Sequence, residues 1–228
     1  MKGCLITIEG ISGIGKTYFF NKLKEQYKDN KNIIFNGEIT DGNYKGYTET
    51  LYNVLSSTNS RFFDLGNPKA ETLLIAAKQS FDEENIIVPA INSGKIVISD
   101  RGYDTICIVE GIMLAKKYAG SAKEYSKMIY KFLQNFNILP QKTIFLDGNI
   151  ENSIKRAEKR DLKLNYPKYT ASEKKILYDC AKLYREYVKD YKNRIEKINI
   201  ENENAYNEII KIIEKEINKN ERRNKKWK

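Results

Sequence analysis

Gly10-Ile11-Ser12-Gly13-Ile14-Gly15-Lys16-Thr17 is the stretch that decides the fold. It follows the apolar run Cys4 to Ile8 and opens a segment, Thr17 to Tyr27, in which Phe19, Phe20, Leu23 and Tyr27 recur at helical spacing. Strand, glycine loop and helix therefore come in that order. The octet fits the pattern G-x-x-x-x-G-K-[ST] without departure and in the context that gives the pattern its meaning. Glycines let the chain wrap with its amide hydrogens turned inward, and the helix N-terminus adds partial positive charge, so the loop is built for a chain of phosphates. All eight residues are expected to bind the nucleotide. Lys16 is expected to reach the β- and γ-phosphates, and Thr17 to ligate Mg²⁺ through its hydroxyl.

The rest of the chain repeats the alternation. A second strand is predicted at Asn32 to Phe35, then a polar turn with Gly37 and Gly42, and a helix around Tyr47 to Ser56. A long helix from Lys69 to Asn92 must tolerate Pro89 near its end. The run KIVISD closes on Asp100, and TIFLDG closes on Asp147. Helices are predicted at Ile106 to Ala119, Ala122 to Phe136, Ile150 to Lys159 and Ser172 to Tyr191, followed by a strand at Glu196 to Ile200 and a closing helix from Ala205 to Ile217. Short apolar strands separated by helices require a parallel sheet covered on both faces. The expected fold is an α/β three-layer sandwich of the P-loop NTPase type, with five parallel strands. In such sheets ligands lie beyond the carboxyl ends of the strands. Asp100, at the end of one, is the candidate partner of Thr17 for the metal, with Asp147 in reserve.

Composition narrows the chemistry. With 228 residues, 41% apolar and 31% charged, the chain reads as one soluble domain, residues 1–218, with a basic tail at 219–228. No apolar run is long enough to cross a bilayer, no signal peptide is evident, and the three cysteines are odd in number and widely spaced, so a reducing, cytoplasmic setting is expected. Histidine is absent, which excludes Ser-His-Asp and Cys-His catalysis. The formal charge of +10 is concentrated in two places: Lys155 to Lys175 holds eight basic residues against three acidic, and Lys219 to Lys228 six against one. Among these segments the only aromatics are Tyr166, Tyr169 and Trp227, too few for a stacking platform, so nucleic acid is not expected as a partner.

Four segments resemble the thymidylate kinase family of nucleoside monophosphate kinases, over Leu5 to about Ile217: ITIEGISGIGKT, ETLLIAAKQSF, KIVISDRGYDT and TIFLDGNIENSIKRAEKR. The resemblance implies transfer of the ATP γ-phosphoryl group to dTMP or a related nucleotide. The alternative is a P-loop kinase of a nucleoside or other small-molecule hydroxyl acceptor. It also implies that Arg101 grips the acceptor phosphate and that a helical lid at about 155–172 delivers Arg156 or Arg160 to the transferring group, because the loop has no arginine of its own. A homodimer packed through helices is implied as well. On the acceptor side the chain departs from the family. Ser12 stands where the family has an acid, Gly37-Glu38-Ile39-Thr40 keeps only the acid of an Arg-Glu-Pro-Gly turn, and Gln79 replaces a phosphate-binding arginine. The resemblance leaves Lys78 to supply the missing cation, and Thr105, followed by Ile106 and Cys107, to face the base.

Overall fold

A computed structural model describes residues 3–37, 46–58 and 60–225. Five strands, β1 (Cys4–Glu9), β2 (Ile33–Asn36), β3 (Ile96–Asp100), β4 (Lys142–Asp147) and β5 (Ile195–Asn199), form one parallel sheet in the order β2-β3-β1-β4-β5. Every residue of β1 and β3 is buried, as strands flanked on both sides within a covered sheet must be. Registry sets Ile8 beside Asp100 and Glu9 beside Phe145, so the last residues of β1 and β3 and the loop after β1 share one edge.

The helices are α1 (Lys16–Gln26), α2 (Tyr47–Leu55), α3 (Pro68–Asp82), α4 (Val88–Asn92), α5 (Tyr103–Lys117), α6 (Ala122–Leu133), α7 (Ile150–Lys163), α8 (Ala171–Asp190) and α9 (Ala205–Lys225). Their starts follow from local chemistry. Asn67 caps α3 with Pro68 in the first turn, Asn149 caps α7, and Ser121 with Glu124 and Thr170 with Glu173 form capping boxes on α6 and α8. Pro89 is accommodated by a π-helical segment, Glu83–Ile87, after which α4 restarts with the proline in its first turn, where its missing N–H is no loss. The core runs through Ile6, Ile8, Ile98 and Ile144 of the sheet to Ile108 and Ile112 of α5 and Ile209 and Ile213 of α9, all nearly inaccessible.

Several boundaries differ from the sequence reading, and two of them involve the basic segments. α7 continues to Lys163, into the basic stretch expected to interrupt it. α9 continues to Lys225 instead of ending near Ile217, and the buried Asn220 side chain donates to the Gly94 carbonyl at 2.9 Å, so residues 219–225 are helix. Asn220 makes that turn part of the packed helix, which a reading by charge alone cannot anticipate. Among the described residues no helix is long and apolar enough to cross a membrane.

Candidate active site

The loop after β1 is shaped by glycines. Gly10 and Gly13 have φ of 144° and 75°, and a side chain at Gly13 would place its Cβ 2.0 Å from the Ser153 carbonyl oxygen of α7. Only glycine permits that approach. Ile11 and Ile14 bury their side chains in the core and so anchor the loop. α1 then begins at Gly15 with no side-chain cap and no acid in its first turn, which leaves its amide dipoles to an anion.

Four cations reach four successive residues of this loop. Arg101 donates through Nη1 to the Gly10 carbonyl at 3.4 Å, Lys16 through Nζ to the Ile11 carbonyl at 3.1 Å, Arg160 through Nη2 to the Ser12 hydroxyl at 3.3 Å, and Arg156 through Nε to the Gly13 carbonyl at 2.8 Å. They come from three places: the loop itself, the end of β3 and helix α7. Arg101 is held there at φ 69°, a left-handed conformation that costs a non-glycine residue on the order of 1–3 kcal/mol. Its own amide donates to the Ile8 carbonyl at 3.0 Å, which pins the turn beside the loop. Converging positive charge at a helix N-terminus suits a polyanion.

Thr17 donates its hydroxyl to Asp100 Oδ2 at 3.2 Å, so the two expected metal ligands meet. Asp147 is engaged elsewhere, in a two-oxygen pair with Arg185 at 2.9–3.1 Å. No group of three or more His, Cys, Asp or Glu gathers among the described residues. One hydroxyl beside one carboxylate next to a phosphate loop is nevertheless a donor set that fits Mg²⁺, an ion that usually keeps waters and phosphate oxygens for its other positions.

Beneath the loop lies a buried network that the sequence reading missed. Glu9, fully buried at the end of β1, accepts hydrogen bonds from Thr105 and, at 3.2 Å, from Tyr184. Burial and then the charge of Asp104 push its carboxyl up to about 7, against the Thr105 hydrogen bond and the charges of Arg101 and Lys16. Asp104 is held by Arg194 through two bonds of 2.8 and 2.7 Å and by the Thr143 hydroxyl at 2.7 Å. The available signal was an acid closing an apolar strand directly before the first glycine, the same pattern that marked Asp100.

The acceptor-side residues are placed differently. Lys78 is buried in an ion pair with Asp82 one helical turn on, and Gln79 donates to Glu83 at 3.1 Å. Burial raises the pKa of Asp82 and of Glu83, opposed by those same contacts. Thr105 turns its hydroxyl toward Glu9 and Tyr184. Ile106 and Cys107 are core residues, Cys107 fully buried, so the expectation that they face a base is corrected: α5 turns that side inward. Glu38 lies outside the described residues, as do Ile39, Thr40 and Gly42.

One further arginine, unremarked in the sequence, ties the end of α7 to the start of α8. Arg61 lies between α2 and α3 and donates to Asp161 Oδ2 at 3.0 Å, to Glu173 Oε1 at 2.9 Å and to the Pro167 carbonyl.

The chain is similar to known proteins over most of its length. The thymidylate kinase family model matches residues 8–213. A thymidylate kinase of Thermoanaerobacter sp. (strain X514) is 32% identical over 193 residues, covering 84% of this chain and 88% of that protein. A probable thymidylate kinase of Thermococcus onnurineus (strain NA1) is 27% identical over 226 residues, covering 93% and 98%. Among solved structures, thymidylate kinase from Ehrlichia chaffeensis superposes with a TM-score of 0.66 at 20% identity, covering 94% of this chain and 99% of that one, a likeness of fold.

Proposed function

The chain belongs to the thymidylate kinase family, and from that premise we propose that it transfers the γ-phosphoryl group of ATP to dTMP or a closely related nucleoside monophosphate. The observation that carries the reading is the set of four cations on Gly10, Ile11, Ser12 and Gly13. An acceptor phosphate oxygen attacks the γ-phosphorus in line as the bond to the bridging oxygen breaks, giving ADP and the nucleoside diphosphate with no covalent enzyme intermediate.

The loop amides and Lys16 hold the donor phosphates, and of the two lid arginines Arg156, bonded to Gly13, is assigned to those phosphates and Arg160 to the charge that develops on the transferring group. Thr17 and Asp100 are the residues that would hold Mg²⁺, whose charge, when bound, offsets that of the phosphate oxygens. Arg101, reaching from the end of β3 to the first loop glycine, faces the acceptor phosphate. Thr105 and Glu38 are assigned to the acceptor side with Lys78 and Gln79, which would have to leave their pairs with Asp82 and Glu83 to reach an acceptor phosphate. We read residues 1–218 as one kinase domain with the lid at 155–172, acting in the cytoplasm; the basic stretch from residue 219 continues its last helix, α9, and lies outside the chemistry.

The test is a panel of nucleoside monophosphates and uncharged nucleosides with ATP and Mg²⁺. The diphosphate of a monophosphate is expected as product, and Lys16→Ala should lower turnover by at least about 10²-fold, the scale of losing one charge-stabilising donor. Product from nucleosides alone would replace the reading with a hydroxyl kinase. Absence of any transfer would refute both.

A further inference from the structure

We propose that Arg61 is a positioning residue: from the connection leading into α3 it holds Asp161 in place, and through Asp161 it orients the lid arginine Arg160 onto the loop. The proposal rests on the kinase reading above.

Arg160 and Asp161 are neighbours in α7, and adjacent side chains on a helix point about 100° apart, so they do not ordinarily pair. Here Arg160 nonetheless donates to Asp161 Oδ1 through Nε at 2.8 Å and through Nη2 at 2.7 Å. The carboxylate must therefore be held turned toward Arg160, and its other oxygen shows by what: Oδ2 accepts from Arg61 Nε at 3.0 Å. Asp161 divides its two oxygens between the two arginines. With that contact fixed, the same Arg160 Nη2 also reaches Ser12 Oγ at 3.3 Å.

Burial differs between the two cations in the sense the proposal requires. The Arg61 side chain is 10% exposed and that of Arg160 56%, so one is a fixed hub and the other an arm in the site. The Arg61 guanidinium spends its remaining donors on the Glu173 carboxylate and the Pro167 carbonyl, and its carbon lies 4.2 Å from the centre of the Tyr169 ring. It thus touches the end of α7, the connection to α8 and the capping box of α8 together. Burial disfavours its charge, but the hydrogen bonds to Asp161 and Glu173 outweigh that and raise its pKa. Lysine could not serve the same partners, since a point charge lacks the planar fork.

The hub is also anchored on its own side. Glu71, in the first turn of α3, accepts from the amides of Leu65 at 2.9 Å and Asn67 at 2.7 Å, fixing the connection that carries Arg61.

The test compares wild type, Arg61→Gln, Arg160→Ala and the double variant. Arg61→Gln should lower kcat by roughly 10²-fold, the loss that a small misplacement of a catalytic group produces, with KM for ATP within about twofold. In the Arg160→Ala background the same change should cost less than about twofold more, because the two act in series. Arg61→Lys should recover little of the loss. Additive losses, or a loss confined to KM, would overturn the proposal. Should Arg61→Gln fail to fold, Asp161→Asn takes its place in the cycle with the same expected non-additivity. A readout apart from activity separates this proposal from the kinase reading: the Arg160 Nε–H nuclear resonance should be protected from exchange in wild type and lose that protection in Arg61→Gln. A resonance that stays protected refutes the role of Arg61 even if the enzyme proves to use another acceptor.

Discussion

Glu110 in α5 accepts from the Thr72 hydroxyl at 3.1 Å and is almost wholly buried, with Glu71 close by. Burial above all, then the charges of Glu71 and Asp64, push its carboxyl up to about 8, while the Thr72 bond works the other way. The folded state therefore binds a proton that the unfolded chain has released above its ordinary value of 4.5. Stability from this group is full below pH 4.5 and is lost as pH rises through about 8. Glu110→Gln removes the titration and keeps the shape, so the difference in unfolding free energy between pH 5.5 and pH 8.5 should shrink by up to a few kcal/mol. Urea titrations of both proteins at the two pH values measure it; identical slopes would show that Glu110 does not titrate between them. Lys16, Thr17 and Asp100 follow from the loop pattern and from an acid closing a strand, whereas Arg101, Arg156 and Arg160 came from the family resemblance, and the structure sets all six around one loop. Arg61 and Glu9 were legible from neither. Arg61 meets Asp161 and Glu173 at sequence separations of 100 and 112, and Glu9 meets Tyr184 at 175, beyond any local periodicity.

At the level of elements, strands and helices fell close to their predicted places because alternation and capping are local signals. Boundaries moved where contacts between distant segments prolonged a helix, as Asn220 does for α9 and the Arg61 contacts do at the end of α7. The acid partners of Lys78 and Gln79, one turn onward on the same helical run, stood in the sequence too, but burial decides whether such a pair is a surface ornament or a neutralised core charge. α6 has an unusual outer face. While Ile129 and Leu133 fill the core, Met128, Phe132 and Phe136 are 54%, 44% and 69% exposed, and Leu73 of α3 is 59% exposed. We expect them to be covered by a second copy in a homodimer. Sedimentation at micromolar concentration should give twice the mass of the chain, and Phe132→Glu should give a monomer. A monomeric wild type would refute this.

At the scale of the whole molecule, the doubly wound plan was readable from composition and alternation, whereas the order β2-β3-β1-β4-β5 was not, since nothing local says which strands pair. The acceptor end of the site was the least readable, because the chain departs there from the family pattern it resembles elsewhere. The contact at Gly13 also bears on how the lid can move. With the Ser153 carbonyl filling the space of a missing side chain and the Ala157 amide close behind, the root of α7 is welded to the phosphate loop. We infer that a swing of the proposed lid would hinge beyond Ala157, leaving Arg156 on the stationary side and Arg160 on the travelling one. Two arginines a single turn apart would then divide the labour: Arg156→Ala should weaken ATP binding by about tenfold with turnover largely kept, and Arg160→Ala should depress turnover by roughly 10²-fold or more with affinity kept. Calorimetric titration beside steady-state rates would tell them apart, and matching profiles for the two variants would mean that the helix moves as one rod.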